Sequence, residues 1–394
     1  MKKKILIILS LVLLFSLLVG CTQEPEVVET AEEEVEEAVE AEEAEEVKGT
    51  VKIGVHFPLT GDAAQYGLAF SEAAKLLAEQ ANAAGGCGGY MLELEIYDDK
   101  LSGEEAATIA DIFAHDDEVV AVVAGYYSGV IMAGTPIYQE NGLPIICPSS
   151  SHPDFTSPGE YIFRNNSLNI TEVRATLDIV TNYLQGEKIG ILVTKNDWGL
   201  STGAAIQQEI EDQGVMEVVA YEEVLQGSDD YSIPVANFID AGCDTIIAAA
   251  LHDIVAPFII QYKELDPDIQ LGAFAQMYNY QTIEIGGDAV NGIVFGVAYT
   301  NESEDPDVIA FRDAFLELTG ELPDSLAAQT YDSVGMVCEA IANVGPDREA
   351  IKDYLTTIEY DGVMGLTAFD ENRTAIKEML KFQIQDGEYV QLDY

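Results

Sequence analysis

Short apolar runs alternate with longer amphipathic stretches over most of this chain, and this alternation constrains its fold more than any other sequence feature. Runs of four to eight apolar residues are typical of buried strands, and apolar residues three or four positions apart are typical of helices. The predicted strands are 51–57, 92–97, 119–125, 144–147, 189–194, 218–224, 245–251, 270–274 and 292–297. The predicted helices are 67–84, 104–114, 201–213, 233–241 and 254–263. Strands separated by helices predict an α/β fold of parallel sheets with helices on both faces.

The loops that follow the predicted strands are the first places to look for function, because ligands bind beyond the carboxyl ends of parallel strands. One of them, which we call the serine loop (residues 148–152), carries Ser149, Ser150 and Ser151 directly after an apolar run. Its hydroxyls could close a turn and cap the next helix. They could equally form an anion site together with backbone N–H groups. The loop by itself leaves both interpretations open.

Aromatic residues occur in two further loops of this set. Tyr126 and Tyr127 come just before Ser128, where they could pack in the interior or line a cleft. Trp198 is the only tryptophan and lies in the loop after the strand 189–194. An aromatic side chain in such a loop usually contacts a ligand or partner.

The sequence contains no pattern typical of a catalytic or metal site. The four histidines, at positions 56, 115, 152 and 252, do not form HExxH or another close ligand spacing. No serine lies in a G-x-S-x-G elbow, and no glycine-rich phosphate loop is present. We therefore predict a protein that is not an enzyme and has no metal or cofactor, with an exported hydrolase as the least favoured alternative.

The first 48 residues are typical of export. Three lysines precede an apolar stretch at 5–19, and Leu-Val-Gly before Cys21 resembles a lipobox. This predicts a signal peptide at 1–20 and a lipid-modified Cys21, although a membrane anchor or an ordinary cleaved signal is an alternative. Residues 21–48 include 13 glutamates between positions 24 and 46 and predict an acidic tether, or else a charged helical stalk. In each case the folded part lies outside the cytoplasm.

The overall charge limits the classes of partner that the protein can bind. With 18 Lys and Arg against 70 Asp and Glu, the net charge is −52, which argues against nucleic acid or an anionic membrane surface as partner. Acidity on this scale suggests a saline medium, where salt screens self-repulsion.

No CxxC spacing occurs among the cysteines of the folded part, which are Cys87, Cys147, Cys243 and Cys338. We therefore expect buried free thiols, with a disulfide as the alternative.

Several motifs in register resemble those of branched-chain amino-acid-type solute-binding proteins of ABC importers. The similarity covers about residues 50 to 390. Each motif is weak alone, but their shared order makes the resemblance specific. The motifs are Val51-Lys-Ile-Gly, Pro58-Leu-Thr-Gly, Gln65-Tyr-Gly, Tyr97-Asp-Asp, Pro148-Ser-Ser-Ser-x-Pro-x-Phe-Thr, Tyr161-x-Phe-Arg, Asn196-Asp-Trp-Gly, Val363-Met-Gly and Phe369-Asp.

The resemblance implies a type I periplasmic binding protein, with two doubly wound parallel-sheet lobes joined by a three-crossover hinge. Lobe 1 would comprise residues 49–168 plus 301–362, and lobe 2 residues 169–300 plus 363–394. Such a protein would capture an amino acid or a related small carboxylate between its lobes and deliver it to permease subunits in the membrane. A sensory ligand-binding subunit for the same solutes would share this fold and stays an alternative.

The resemblance also implies a ligand site. Ser128 and the serine loop would hold the ligand carboxylate, Tyr66 would line the cleft, and Trp198 would cover the ligand from lobe 2. Together with the strand-end loops, it selects the following ligand-binding residues: Tyr66, Tyr127, Ser128, Ser149, Ser150, Ser151, Trp198, Leu251, Gln276 and Met277.

One departure from the family pattern concerns the other end of the ligand. The acidic residue that binds the ligand ammonium in amino-acid binders should lie within 274–278, which contains no Asp or Glu, and the aromatic expected near Leu251 is replaced. Asp253 and Asp332 are the candidate substitutes. An aromatic or aliphatic acid, or an amide, is therefore an alternative ligand, and Tyr126, Tyr127, Trp198 and Tyr278 would supply stacking surfaces.

Overall fold

The computed structural model describes residues 47–61, 63–266 and 268–393. The predicted signal peptide, the predicted lipid-attachment residue Cys21 and nearly all of the predicted acidic tether lie outside these ranges. Within them, strands alternate with helices along the chain and form two large β-sheets, which confirms the predicted α/β fold. No helix in these ranges is both long enough and apolar enough to cross a bilayer.

The strands are short and mostly buried. They are β1 (Gly49–Phe57), β2 (Tyr90–Asp98), β3 (Val119–Ala124), β4 (Ile145–Cys147), β5 (Ile162–Arg164), β6 (Lys188–Thr194), β7 (Glu217–Val224), β8 (Thr245–Ala249), β9 (Gln270–Ala273), β10 (Val294–Val297), β11 (Glu359–Gly362), β12 (Gly365–Ala368), β13 (Leu380–Gln385) and β14 (Glu388–Gln391).

The helices connect these strands. They are α1 (Ala64–Ala83), α2 (Gly103–Ala114), α3 (Ser128–Met132), α4 (Thr135–Glu140), α5 (Asn169–Ile179), α6 (Asp197–Gln213), α7 (Ser232–Ala241), α8 (His252–Lys263), α9 (Tyr280–Gly286), α10 (Pro306–Thr319), α11 (Ser325–Val344) and α12 (Arg348–Thr356). A π-helical turn at Val180–Leu184 extends α5.

The two sheets define two lobes. Lobe 1 is built on a five-stranded sheet in the order β2-β1-β3-β4-β5, in which every pair is parallel. Lobe 2 is built on a seven-stranded sheet in the order β14-β13-β10-β9-β8-β6-β7. The sequence predicted only parallel strands, but β13 pairs antiparallel with β10 and with β14 at one edge of the second sheet.

The chain passes between the lobes three times. After β5 it leaves the first sheet and builds the second through β10. It then returns to lobe 1, where α11 and α12 pack on α1 and β3, and finally goes back to lobe 2 as β13 and β14. This path agrees with the expected three-crossover hinge, while the lobe boundaries given above stay a prediction.

Every predicted strand and helix is present within a few residues, but other elements were missed. Strand β5 has only three residues, too few for a periodic signal. Helix α11 is amphipathic as well as largely buried, so its periodicity is sufficient to predict it. Strand β13 alternates polar and apolar residues over only six positions, and the four residues of β14 do not alternate, so their signal is weak.

Two glycines show how the strand-end loops are built. A Cβ on Gly67 would lie 2.1 Å from the carbonyl oxygen of Pro58, and a Cβ on Gly199 would lie 2.1 Å from that of Thr194. Both glycines lie in the first turns of α1 and α6, and both carbonyls follow or end the preceding strand. Only glycine permits this close approach. In both lobes, a glycine therefore allows a helix to start close to the carboxyl edge of the sheet, where a ligand would bind.

A disulfide joins Cys87, in the loop after α1, to Cys338 in α11. The expectation of free thiols is wrong for this pair, because the partners are 251 positions apart in sequence and meet only when α11 packs on α1. Cys147 and Cys243 are buried free thiols, as expected.

We expect reduction of the Cys87–Cys338 bridge to lower stability by about 2–4 kcal/mol, because a long cross-linked loop restricts the unfolded chain. The thermal unfolding midpoint, measured with and without dithiothreitol, should drop for the wild type. The double variant Cys87→Ser/Cys338→Ser should unfold at the lower midpoint under both conditions. An equal response of both proteins to the reductant would show that the effect does not come from this bridge.

Candidate ligand-binding site

A narrow, nearly closed cavity of about 20 Å³ lies between the carboxyl edges of the two sheets, so a solute of amino-acid size fits only when its walls move apart. Loops of both lobes form its walls, so that it can close only when the lobes approach each other. Tyr126, Tyr127, Ser128, Ser149 and Leu326 line it from lobe 1, and Trp198, Leu251 and Gln276 line it from lobe 2.

Three of the predicted serines form a connected arrangement on the lobe 1 side. Ser128, at the start of α3, accepts a hydrogen bond from the Ser150 hydroxyl at 3.1 Å. Ser149 donates to the carbonyl oxygens of Gly125 and Tyr126, at 2.8 and 2.9 Å. A hydroxyl has one proton, so the proton of Ser149 holds the two loops together. The proton of Ser128, in contrast, is directed by the bond from Ser150 toward other acceptors.

The serine loop does not cap a helix through its hydroxyls, as one interpretation of the sequence suggested. The element that follows is a four-residue 3-10 turn, Pro153–Thr156, and its cap is the side chain of His152, which accepts from the Asp154 N–H. Ser151 is buried away from the cavity lining, and its carbonyl accepts from the Asn169 N–H. The backbone N–H of Ser150 donates to Cys147 Sγ at 3.3 Å.

Buried polar side chains hold the serine loop in place. Arg164 is fully buried, and its guanidinium donates to the His152 carbonyl at 2.7 Å. Asn166 donates to the Ser149 carbonyl at 2.7 Å. Burial lowers the pKa of Arg164 to about 10, well above neutral pH, so the guanidinium stays charged. A positive charge therefore lies behind the loop that was predicted to hold a carboxylate.

The lobe 2 wall is aromatic and apolar. Trp198 lies in the first turn of α6, where Asn196 caps the helix by accepting from the Gly199 N–H at 2.7 Å. The indole is 9% exposed and packs edge-on against Phe274, with ring centroids 6.3 Å apart. Leu251 immediately precedes α8. Trp198 is therefore largely buried, but from the start of α6 its side chain still lines the cavity.

Gln276 supplies the polar group of the lobe 2 wall. It lies in the 3-10 turn Ala275–Met277 that follows β9. Its Oε1 atom is buried and has no hydrogen-bond partner among the residues that the structure describes. A buried acceptor without a partner is costly, so this atom is suited to accept a hydrogen bond from a ligand.

Two chains of hydrogen bonds cross from one lobe to the other beside the cavity. Tyr66 of lobe 1 bonds His252 Nδ1 at 2.6 Å, and His252 Nε2 bonds Gln281 Oε1 at 2.9 Å. Tyr127 donates to Gln226 Oε1 at 3.0 Å, and Gln226 donates to Asp253 Oδ2 at 2.5 Å. Only the Tyr66–His252 and Tyr127–Gln226 bonds join the two lobes; the other two lie within lobe 2.

The structure does not bring every predicted residue to the cavity lining. Tyr66 stacks behind Tyr126, with ring centroids 4.9 Å apart. Met277 and Tyr278 are buried in the core of lobe 2. The carboxylate of Asp332 accepts from the Val363 and Met364 N–H groups at a crossover, so it is not a substitute for the missing acid.

Sequence reasoning also missed residues that the structure places at or beside the cavity. Leu326 lies at the start of α11, which is not among the predicted helices. Gln226 lies in the loop after β7, where no site residue is predicted. The sequence suggests only a metal-ligand role for His252, whereas the structure places it in the bond to Tyr66. Tyr126 is predicted only as a stacking surface, and it lines the cavity.

Residues 50–388 match the sequence profile of the periplasmic binding protein family. The chain belongs to this family. Proteins of this kind act outside the cytoplasm as solute-binding proteins rather than enzymes, and the resemblance inferred from the motifs is confirmed. One relative is the leucine-, isoleucine-, valine-, threonine- and alanine-binding protein of Pseudomonas aeruginosa, which is 27% identical over 82% of this chain and 86% of its own length.

Solved structures support the same conclusion. One described as a branched-chain amino acid ABC transporter from Rhodospirillum rubrum is 30% identical, with a TM-score of 0.68 over 87% of this chain and all of its own. A solute-binding protein from R. palustris in complex with benzoate shares the fold, with a TM-score of 0.80 at 20% identity over 87% of this chain and 96% of its own.

We expect this periplasmic binding protein to lose stability as the pH falls from about 6.5 to about 4. Burial away from water disfavours the charged imidazolium and lowers the pKa of His252 to about 4 from its ordinary 6.5. The unfolded chain binds that proton below pH 6.5, so stability is present above this pH and is lost below it, by at most about 1.4 kcal/mol per pH unit.

The measurement is the thermal unfolding midpoint from pH 4 to 7 for the wild type and for His252→Gln. The wild type should lose more stability on acidification than the variant does. His115→Gln is the matched control, because His115 is exposed. Parallel profiles for the wild type and His252→Gln would contradict the assignment.

Proposed function

We propose that this protein is the solute-binding component of an ABC importer and captures a small solute carrying a carboxylate between its two lobes. Support comes from the family, from relatives that bind amino acids, and from a relative solved with benzoate. The ligand would stabilise the closed form by contacts that exist only when both walls meet, which is a population shift between open and closed states.

The observation that carries this proposal is the arrangement of Ser128 and Ser150. The Ser128 hydroxyl lines the cavity and accepts from Ser150, so its own proton is available to a ligand oxygen. Hydrogen bonds in such a chain strengthen one another. In a protein of net charge −52, a bound carboxylate also needs nearby positive charge, and the buried guanidinium of Arg164 behind the serine loop provides it.

The membrane attachment and the partner belong to the same proposal. The lipobox-like sequence before Cys21 would anchor the protein to the outer face of the membrane, with residues 21–48 as a tether. ABC permease subunits would receive the solute when the lobes open. Metabolic labelling with a fatty-acid analogue, compared between the wild type and Cys21→Ser, tests the anchor directly.

Isothermal titration calorimetry tests solute capture. The panel is leucine, isoleucine, valine, 2-hydroxy-4-methylpentanoate, benzoate and 4-hydroxybenzoate, in high-salt buffer. We expect at least one Kd below about 1 mM, equivalent to about −4 kcal/mol. Because Trp198 is the only tryptophan and lines the cavity, binding should also change the intrinsic fluorescence. If every compound on the panel binds more weakly than this, the proposed capture of small carboxylates is wrong.

We expect Ser128→Ala to weaken binding of the best carboxylate by about 1–3 kcal/mol, because a charged acceptor loses a donor. Calorimetry with the same ligand gives the difference directly. Ser157→Ala is the matched control, since Ser157 is exposed and lies away from the cavity. Equal affinities for the wild type and Ser128→Ala would mean that this hydroxyl is structural.

A further inference from the structure

The polar groups of the cavity wall are all uncharged. The lining consists of two serine hydroxyls, two tyrosines, one tryptophan, two leucines and one glutamine. The tyrosine hydroxyls do not ionise at neutral pH, and burial raises the pKa of Tyr126 further. The wall therefore offers hydrogen bonds to a ligand but no carboxylate that could compensate a positive charge.

Two buried polar atoms of the wall have no partner among the described residues, the Tyr126 hydroxyl, which can donate or accept, and Gln276 Oε1, which can only accept. Gln276 lies in the lobe 2 wall, whereas Ser128 lies in the lobe 1 wall. A ligand that spans the cavity meets a donor at Ser128 and an acceptor at Gln276. In either orientation of its amide, Gln276 presents an uncharged group.

The carboxylates near the cavity are hydrogen-bonded within the protein or exposed. Asp253 Oδ2 accepts from Gln226, which in turn accepts from Tyr127. Asp324, two residues before Leu326, accepts from the Asn279 side chain and the Ala327 N–H. Asp197 is exposed and approaches Gly129, where a Cβ would lie 1.9 Å from its Oδ2 atom. None of the three lines the cavity. An ammonium held in this space would lose its hydration without gaining an ionic partner, and such desolvation is unfavourable.

We infer that the cavity selects carboxylates whose second polar group is an uncharged hydrogen-bond donor, such as hydroxy acids or phenolic acids, over the corresponding amino acids. The inference rests on the proposed function and deepens it. Gln276 is the residue that determines this preference. The ligand carboxylate accepts a hydrogen bond from the Ser128 hydroxyl, and the ligand hydroxyl donates to Gln276 Oε1.

A pair of ligands of nearly equal shape tests the preference in the wild type. L-Leucine and (S)-2-hydroxy-4-methylpentanoate differ in one group, an ammonium in place of a hydroxyl. We expect the hydroxy acid to bind at least about 10-fold more tightly, because the wall can pair its hydroxyl but not the ammonium. Among aromatic acids, 4-hydroxybenzoate should bind more tightly than benzoate, because benzoate has no hydroxyl that could donate a hydrogen bond.

The variant Gln276→Glu replaces the amide by a carboxylate of the same shape. It should raise the affinity for leucine and lower that for the hydroxy acid, so that the ratio of the two Kd values changes by about 100-fold or more. Gln208→Glu is the matched control, since it adds the same charge at an exposed position of α6 and should leave the ratio unchanged. If Gln276→Glu does not fold, Gln276→Met should weaken the hydroxy acid and leave the affinity for leucine nearly unchanged.

The outcomes separate this inference from the proposed function. Tighter binding of leucine than of the hydroxy acid by the wild type would overturn the inference and leave solute capture intact. An unchanged ratio in Gln276→Glu would overturn the role of Gln276. A wild type that binds none of these compounds would overturn the proposed function itself, whereas a preference for the hydroxy and phenolic acids that reverses in Gln276→Glu would support both.

Discussion

The site depends on the hydrogen bonds of Asn165 and Asn166. These residues directly follow β5 and begin the first crossover from lobe 1 to lobe 2. Asn166 donates to the Ser149 carbonyl and accepts from the Gln329 side chain at 2.9 Å. Asn165 donates to the Gln329 carbonyl at 2.9 Å and to Ser333 at 3.1 Å. The serine loop, the first crossover and α11 are thus parts of one buried network. The position of the loop is therefore coupled to the geometry of the first crossover between the lobes.

Charge within this network explains how so acidic a protein can receive an anion. Arg164 and Arg373 both donate to backbone carbonyls near the serine loop, Arg164 to His152 and Arg373 to Thr156 and Ile162. The Arg164 bond fixes the loop and also places positive charge behind it. Arg164 is fully buried, so salt in the solvent screens its charge little.

The sequence allowed the fold and one half of the site to be predicted, for different physical reasons. Alternating strands and helices leave a periodic signal, and the strand-end rule selected Ser128, the serine loop and Trp198 before any geometry was known. Several residues of the family motifs stabilise the loops and do not contact the cavity. Asp98 accepts from Leu59 and Thr60, and Asp99 bonds His56, so these residues hold the loops and do not reach the cavity.

What the sequence did not reveal depends on contacts between distant segments. The partner of Cys87 is set by how α11 packs on α1, and the bond between Tyr66 and His252 exists only when two lobes meet. Periodicity carries no information about such pairs. For the same reason, the list of loop residues included Met277 and Ser151, whose neighbours place them away from the cavity, and it left out Leu326.

The contacts that close the cavity suit a protein with a large excess of carboxylates. Two of the bonds between the lobes, Tyr66 to His252 and Tyr127 to Gln226, join uncharged groups, whereas Asn279 and Tyr280 donate across to the carboxylates of Asp324 and Glu321. Salt weakens attraction between exposed ions but has little effect on buried neutral hydrogen bonds. At the same time, salt screens the mutual repulsion of the surface carboxylates, which otherwise opposes any compact arrangement. In concentrated salt the repulsion is therefore reduced while the bonds across the cavity persist, so that the ligand needs to supply less of the free energy of closure.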